Sequence, residues 1–120
     1  MLTLSNPRSF EPGSIDVEAL ADTGGACLVI PEHFRIQLGL EETSKKEVTL
    51  ADGSKKMVPC VGPIETRFKN RVASVGAIVM GDEVLLGAIP MEDMDLVVEP
   101  QERIVDVNPL NPNSAAAKAK

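Results

Sequence analysis

The first regular pattern along the chain is an alternation. Ile15-Asp16-Val17-Glu18-Ala19-Leu20-Ala21 largely alternates apolar and polar positions, as a strand with one buried face does. Cys27-Leu28-Val29-Ile30 is a short continuous apolar run and reads as a buried strand. Between them Asp22-Thr23-Gly24-Gly25-Ala26 is small and turn-like. Pro31 opens a helix that Gly39 closes after Leu38, with Phe34 and Leu38 four residues apart on one face.

Further along, Glu47–Ala51 and Lys55–Cys60 flank Asp52-Gly53, a hairpin signal. Gly62-Pro63 reads as a break, and Ile64–Phe68 alternates again. Lys69-Asn70-Arg71 turns the chain into a strand from Val72 to Met80, and Gly81-Asp82 turns it into Glu83–Gly87. A short helix is expected from Pro90 to Met94, then a last hairpin of Leu96–Glu99 and Arg103–Val107. The predicted fold class is mainly β, a small closed barrel with one or two short helices. Residues 1–107 form the domain; residues 108–120, rich in Pro, Asn, Ala and Lys, read as a poorly ordered tail.

Charge narrows the function. The formal net charge is −6, with 18 acids against 12 bases, which speaks against binding a nucleic-acid backbone or an anionic membrane surface. Three Phe, with no Tyr or Trp, give no platform for stacking bases. No apolar run reaches the roughly 18 residues of a membrane span, and the first residues lack a basic stretch followed by an apolar one. A cytoplasmic chain is the expectation. Cys27 and Cys60 are too few for a disulfide framework, and His33 alone cannot build a multi-histidine zinc site. No metal and no cofactor is expected.

The candidate chemistry lies in Ala19-Leu20-Ala21-Asp22-Thr23-Gly24. A carboxylate directly after a strand, among glycine amides, is either a positioned acid or base or an ordinary Asx turn. Cys27 with His33 is a weaker nucleophile pair, since Cys27 sits in an apolar run. Glu41-Glu42 and Lys45-Lys46-Glu47 read as a solvated charged loop.

Ala21-Asp22-Thr23-Gly24, followed by a short apolar strand and a helix ending in Leu38-Gly39-Leu40, resembles the retropepsin-like (retroviral-type) aspartic proteases, especially their small bacterial relatives. Four further features fall in the family's order. Leu50-Ala51-Asp52-Gly53-Ser54 is similar to the flap hairpin, and Val84-Leu85-Leu86-Gly87 to the segment packed behind the catalytic loop. Met91 to Met94 resembles the short helix that follows, and Leu96 to Val105 the closing hairpin. The resemblance spans roughly residues 1–107. Gly25 stands where the family usually has Ala or Ser, and Ala21 where it usually has Val or Leu.

The resemblance implies an aspartic endopeptidase acting on a peptide or protein substrate as a homodimer, because one chain carries one Asp-Thr-Gly and the chemistry needs two carboxylates. Asp22, Thr23 and Gly24 would be catalytic. Gly25, Ala26, Ala51, Asp52, Gly53 and Ser54 would bind substrate. Leu2-Thr3-Leu4 and Arg103 to Val107 would form the dimer sheet, and Val29, Ile30, Val61, Ile78 and Ile89 the subsite walls. The alternatives are a non-catalytic peptide-binding or scaffold module of the same fold, and an all-β adaptor in which Asp22 only shapes a turn.

Overall fold

The computed structural model describes residues 1–9, 13–99, 101 and 104–116. In chain order the described elements are β1 (Leu2–Ser5), β2 (Ser14–Val17), β3 (Ala19–Ala21), β4 (Leu28–Ile30), α1 (Glu32–Leu38), β5 (Glu42–Thr49) and β6 (Lys55–Phe68). They continue with β7 (Arg71–Val79), β8 (Val84–Leu86), α2 (Ala88–Asp93), β9 (Leu96–Glu99) and β10 (Ile104–Val107). The fold is mainly β. Eight strands make one sheet in the order β2-β1-β6-β7-β4-β8-β3, with β5 paired to β6 off that path, and the sheet curls into a half-barrel. β9 and β10 form a separate two-stranded sheet.

Binary patterning gives the sheet one buried face. Along β7 the inward positions Ala73, Val75, Ala77 and Val79 are buried, while Val72, Ser74 and Gly76 face out. Leu4, Leu28, Ile30, Ile64, Leu86 and Met94, drawn from four strands and the end of α2, are fully buried at the centre. Each such side chain contributes about 1.5–3 kcal/mol on burial.

Several elements differ from their sequence-based reading. The alternating stretch Ile15–Ala21 is two strands, because the chain changes partners at Glu18: β2 pairs antiparallel with β1, and β3 pairs parallel with β8. The break expected at Gly62-Pro63 is instead a bulge within β6, which carries a cis Gly62–Pro63 bond and runs on to Phe68. Gly62 there faces Gly76 of β7, where a Cβ would sit 3.2 Å from the Gly76 Cα. Lys45-Lys46-Glu47 lie in β5, which starts at Glu42, and not in a loop. α1 follows Pro31 as expected. It ends at Gly39 in the left-handed region (φ 64°), whose amide donates to the Ile36 carbonyl.

The N-terminal strand is interior. Leu2 pairs with Val17 of β2 on one side, and Thr3 pairs with Arg67 of β6 on the other. Leu2-Thr3-Leu4 therefore has no free edge to offer a second chain, whereas β10 keeps one. Of the expected closing hairpin, Pro100, Glu102 and Arg103 lie outside the described residues, as do residues 117–120 of the tail. The tail over 108–116 is hydrogen-bonded to the domain. Asp95 accepts from Asn108 Nδ2 (3.1 Å), Asn111 Nδ2 (2.8 Å) and the Ala116 amide (3.1 Å), and Arg71 donates to the Asn111 carbonyl. No described helix is long and apolar enough to cross a membrane.

Candidate active site

β8 is threaded between β3 and β4, parallel to the first and antiparallel to the second. The loop joining β3 to β4, residues 22–27, must therefore pass over the C-terminal end of β8. Four backbone hydrogen bonds fix it there. The Asp22 amide donates to the Leu86 carbonyl (2.9 Å), and the Gly25 amide closes the turn onto the Asp22 carbonyl (3.1 Å). The Ala88 amide donates to the Gly25 carbonyl (2.8 Å), and the Ile89 amide to the Ala26 carbonyl (2.9 Å). The last two amides open α2, where helix donors lack partners within the helix. Loop and helix thus satisfy each other.

Glycine is required at position 87. A Cβ there would lie 2.4 Å from the Cys27 carbonyl oxygen and 2.6 Å from the Ala26 carbonyl carbon, both backbone atoms. This is the physical reason for the Leu85-Leu86-Gly87 sequence behind the loop.

Asp22 is half-buried, Thr23, Gly24 and Ala26 are exposed, and Gly25 is half-buried. The Asp22 carboxylate leans over the two glycines. Its Oδ1 lies 3.6 Å from where a Gly24 Cβ would stand, and its Oδ2 3.0 Å from where a Gly25 Cβ would stand. Among the described residues no group hydrogen-bonds or ion-pairs with this carboxylate, and the Thr23 hydroxyl likewise has no partner. Both side chains are thus free at the surface of one chain.

The β5–β6 hairpin ends in Leu50–Ser54. The Leu50 amide donates to the Ser54 carbonyl (2.8 Å) and the Gly53 amide to the Leu50 carbonyl (2.9 Å). The Asp52 carboxylate accepts from the Ser54 hydroxyl and amide, which hold its carboxyl below the ordinary range. Gly53 has φ 85°, and nothing lies within 4 Å of its Cβ position. Ala51, Asp52, Gly53 and Ser54 are all exposed and make no hydrogen bond to the Asp22 loop. An arm of the hairpin does reach that loop: Lys46 Nζ lies 3.8 Å from Cys27 Sγ.

A cleft of about 310 Å³ opens beside that contact, lined by Cys27, Lys46, Cys60, Ile78, Ile89 and Asp93 among others. Of the expected subsite walls, Ile78 and Ile89 line it, but Ile30 (0% exposed) and Val61 (1%) belong to the core. A larger groove of about 640 Å³, rimmed by Asp16, Glu18, Asp82 and Glu83, does not include the Asp22 loop. Cys27 is half-buried beside Lys46, while His33 is exposed with its ring 4.2 Å from that of Phe34, so they do not form a nucleophile pair. Among the described residues no group of three His, Cys, Asp or Glu side chains could hold a metal ion.

Lys46 is the site residue that sequence reasoning missed. Its signal was the two-residue spacing to Val48, which puts both on one face of a strand. No protein-family model matches the chain, and no curated protein matches it either.

Proposed function

We propose that the chain is one lobe of a homodimeric aspartic endopeptidase of the retropepsin-like type, with Asp22 as its catalytic carboxylate. The observation that carries this reading is the Asp22 side chain itself. It is half-buried on a loop locked to β8 and α2, yet its carboxylate has no partner among the described residues. A two-fold axis beside the loop would bring a second Asp22 against the first. Carboxylates that close cannot both ionise, so they share one proton.

In this mechanism the ionised Asp22 takes a proton from a water molecule, whose oxygen attacks the peptide carbonyl carbon. The protonated Asp22 donates to the carbonyl oxygen, giving a tetrahedral diol. The Asp22 that took the water's proton then passes it to the amide nitrogen, the other Asp22 takes a proton from a diol hydroxyl as the C–N bond breaks, and the products leave as carboxylic acid and amine with one proton again shared by the pair. Thr23 of each chain would brace the two loops, and Gly24 and Gly25 would admit substrate backbone. Asp52, Gly53 and Ser54 would close over it and exclude water. The half-barrel would then be one lobe of a closed acid-protease barrel, and a cytoplasmic setting fits its two free cysteines.

A second reading, a peptide-binding module without hydrolysis, is favoured by Gly25, which leaves the Asp22 carboxylate unclamped where a Cβ would approach it to 3.0 Å. Digestion of a peptide library by wild type and Asp22→Asn separates the two. The peptidase reading expects cleavage by wild type alone. The module reading expects binding by both and cleavage by neither.

A further inference from the structure

The β5–β6 hairpin is basic in an acidic protein: four of the 12 Lys and Arg residues fall between positions 45 and 56, against a net charge of −6. Register sorts them onto two faces. Lys46 stands opposite Val58, and Val48 opposite Lys56, so these four share one face. Val58 is 1% exposed, and Lys46 reaches Cys27 in the Asp22 loop, so this face turns towards the protein. The other face carries Lys45, Glu47, Lys55 and Met57, with Met57 56% exposed. There Lys55 pairs with Glu47 at 3.7 Å, and Lys45 has no ion-pair partner among the described residues, so the faces differ in what they turn towards. On the inner face Lys46 and Lys56 have no ion-pair partner among the described residues. Asp93 lines the same cleft as Lys46 but is not paired with it.

Resting on the reading of this hairpin as the lid of the Asp22 site, we propose that Lys46 and Lys56 recognise acidic side chains, so that the substrate class is peptides with Asp or Glu near the scissile bond. An ammonium on a flexible stem attracts a carboxylate without demanding one orientation, which suits side chains presented from an extended peptide. Lys46 lines the cleft beside the Asp22 loop and Lys56 shares its face of the hairpin, so they act on substrate capture rather than on the chemical step.

The experiment is digestion of a random peptide library, with cut sites read by mass spectrometry. Kinetics then follow on one cut peptide and its Glu→Gln copy. The enzymes are wild type, the double variant Lys46→Gln/Lys56→Gln and the outer-face control Lys45→Gln. Library binding to each is measured in parallel by anisotropy. Cut sites enriched in neighbouring Asp and Glu are expected. The Glu→Gln copy should raise KM roughly five- to tenfold, as two exposed ion pairs allow, with kcat little changed. The double variant should lose that difference, Lys45→Gln should keep it, and about 0.5 M salt should erase it. Cleavage without acidic preference, or a preference surviving in the double variant, overturns the proposal and leaves the peptidase reading standing. Acid-selective, salt-sensitive binding without cleavage sinks the peptidase reading and upholds the lysine assignment. Neither binding nor cleavage removes both.

Discussion

Gly87 lies directly beneath Cys27, close enough that a Cβ on Gly87 would come within 2.4 Å of the Cys27 carbonyl oxygen. Because the obstructing atom is backbone, no rotamer change relieves the clash. Gly87→Ala is expected to destabilise the fold by about 1–3 kcal/mol, the usual cost of forced overpacking, and to displace the Asp22 loop. Urea unfolding checks the first effect. The Asp22 amide, which donates to Leu86 at 2.9 Å, should lose hydrogen-exchange protection and so report the second. A Gly87→Ala protein as stable as wild type would mean that the loop does not rest on β8 in this way.

Asp95 ties the segment after β10 to the domain. The Asn108 amide group holds its carboxyl below the ordinary range, reinforced by the Ala116 amide, the Asn111 side chain and the charge of Arg71. A carboxyl lowered on folding stabilises above the ordinary carboxylate range, and that contribution is lost as pH falls through the lowered value. Residues 108–116 should therefore release in acid. Limited proteolysis at falling pH should show cleavage after Val107 before the β-sheet unfolds, and Asp95→Ala should show it already at neutral pH. Resistance unchanged by pH and by the substitution would contradict the assignment.

The turn at Asp52–Ser54 behaves alike. Its carboxyl is lowered chiefly by the Ser54 hydroxyl, then by the Ser54 amide. Gly53 holds φ 85° with open space around it. Gly53→Val brings no clash but a left-handed conformation that a β-branched residue resists, at about 1–2 kcal/mol. Since residues 51–54 are exposed, the strain should distort the turn and leave the core intact. Thermal unfolding should shift little, while turnover falls at least tenfold if the tip closes over substrate. Unchanged kinetics in the folded variant would show that this hairpin is not the lid.

Much of this arrangement was legible in the sequence because it is local. The apolar run of β4, the helix stop at Gly39 and the Asp52-Gly53 turn each depend on a few neighbouring residues. What was not legible depends on distant partners. Gly62-Pro63 breaks a strand in isolation, but Gly76 on β7 leaves room for a bulge, and β6 continues. Glu18 looks like one polar step in an alternation, yet there the chain leaves β1 and joins β8. Arg71 reads as part of a polar turn but is 1% exposed and bonded to Asn111 forty residues on, which gives residues 108–116 their path. Within the site, the loop around Asp22 was readable from Asp-Thr-Gly and Leu-Leu-Gly. The placement of Lys46 over Cys27 was not, because it follows from the β5–β6 register.

The proposed mechanism rests on two chains pooling one Asp22 each. Its most direct test is peptide cleavage across pH by wild type, Asp22→Asn and an equal, fully exchanged mixture, with sedimentation of each. Wild type should give a bell-shaped profile whose limbs belong to the carboxylate pair. Asp22→Asn should show no turnover and remain dimeric, and the mixture should keep about one quarter of the activity per chain, since only wild-type pairs hold two carboxylates. Equal cleavage by wild type and Asp22→Asn, or a wild type that cleaves peptides while monomeric at every concentration, would overturn the two-chain mechanism.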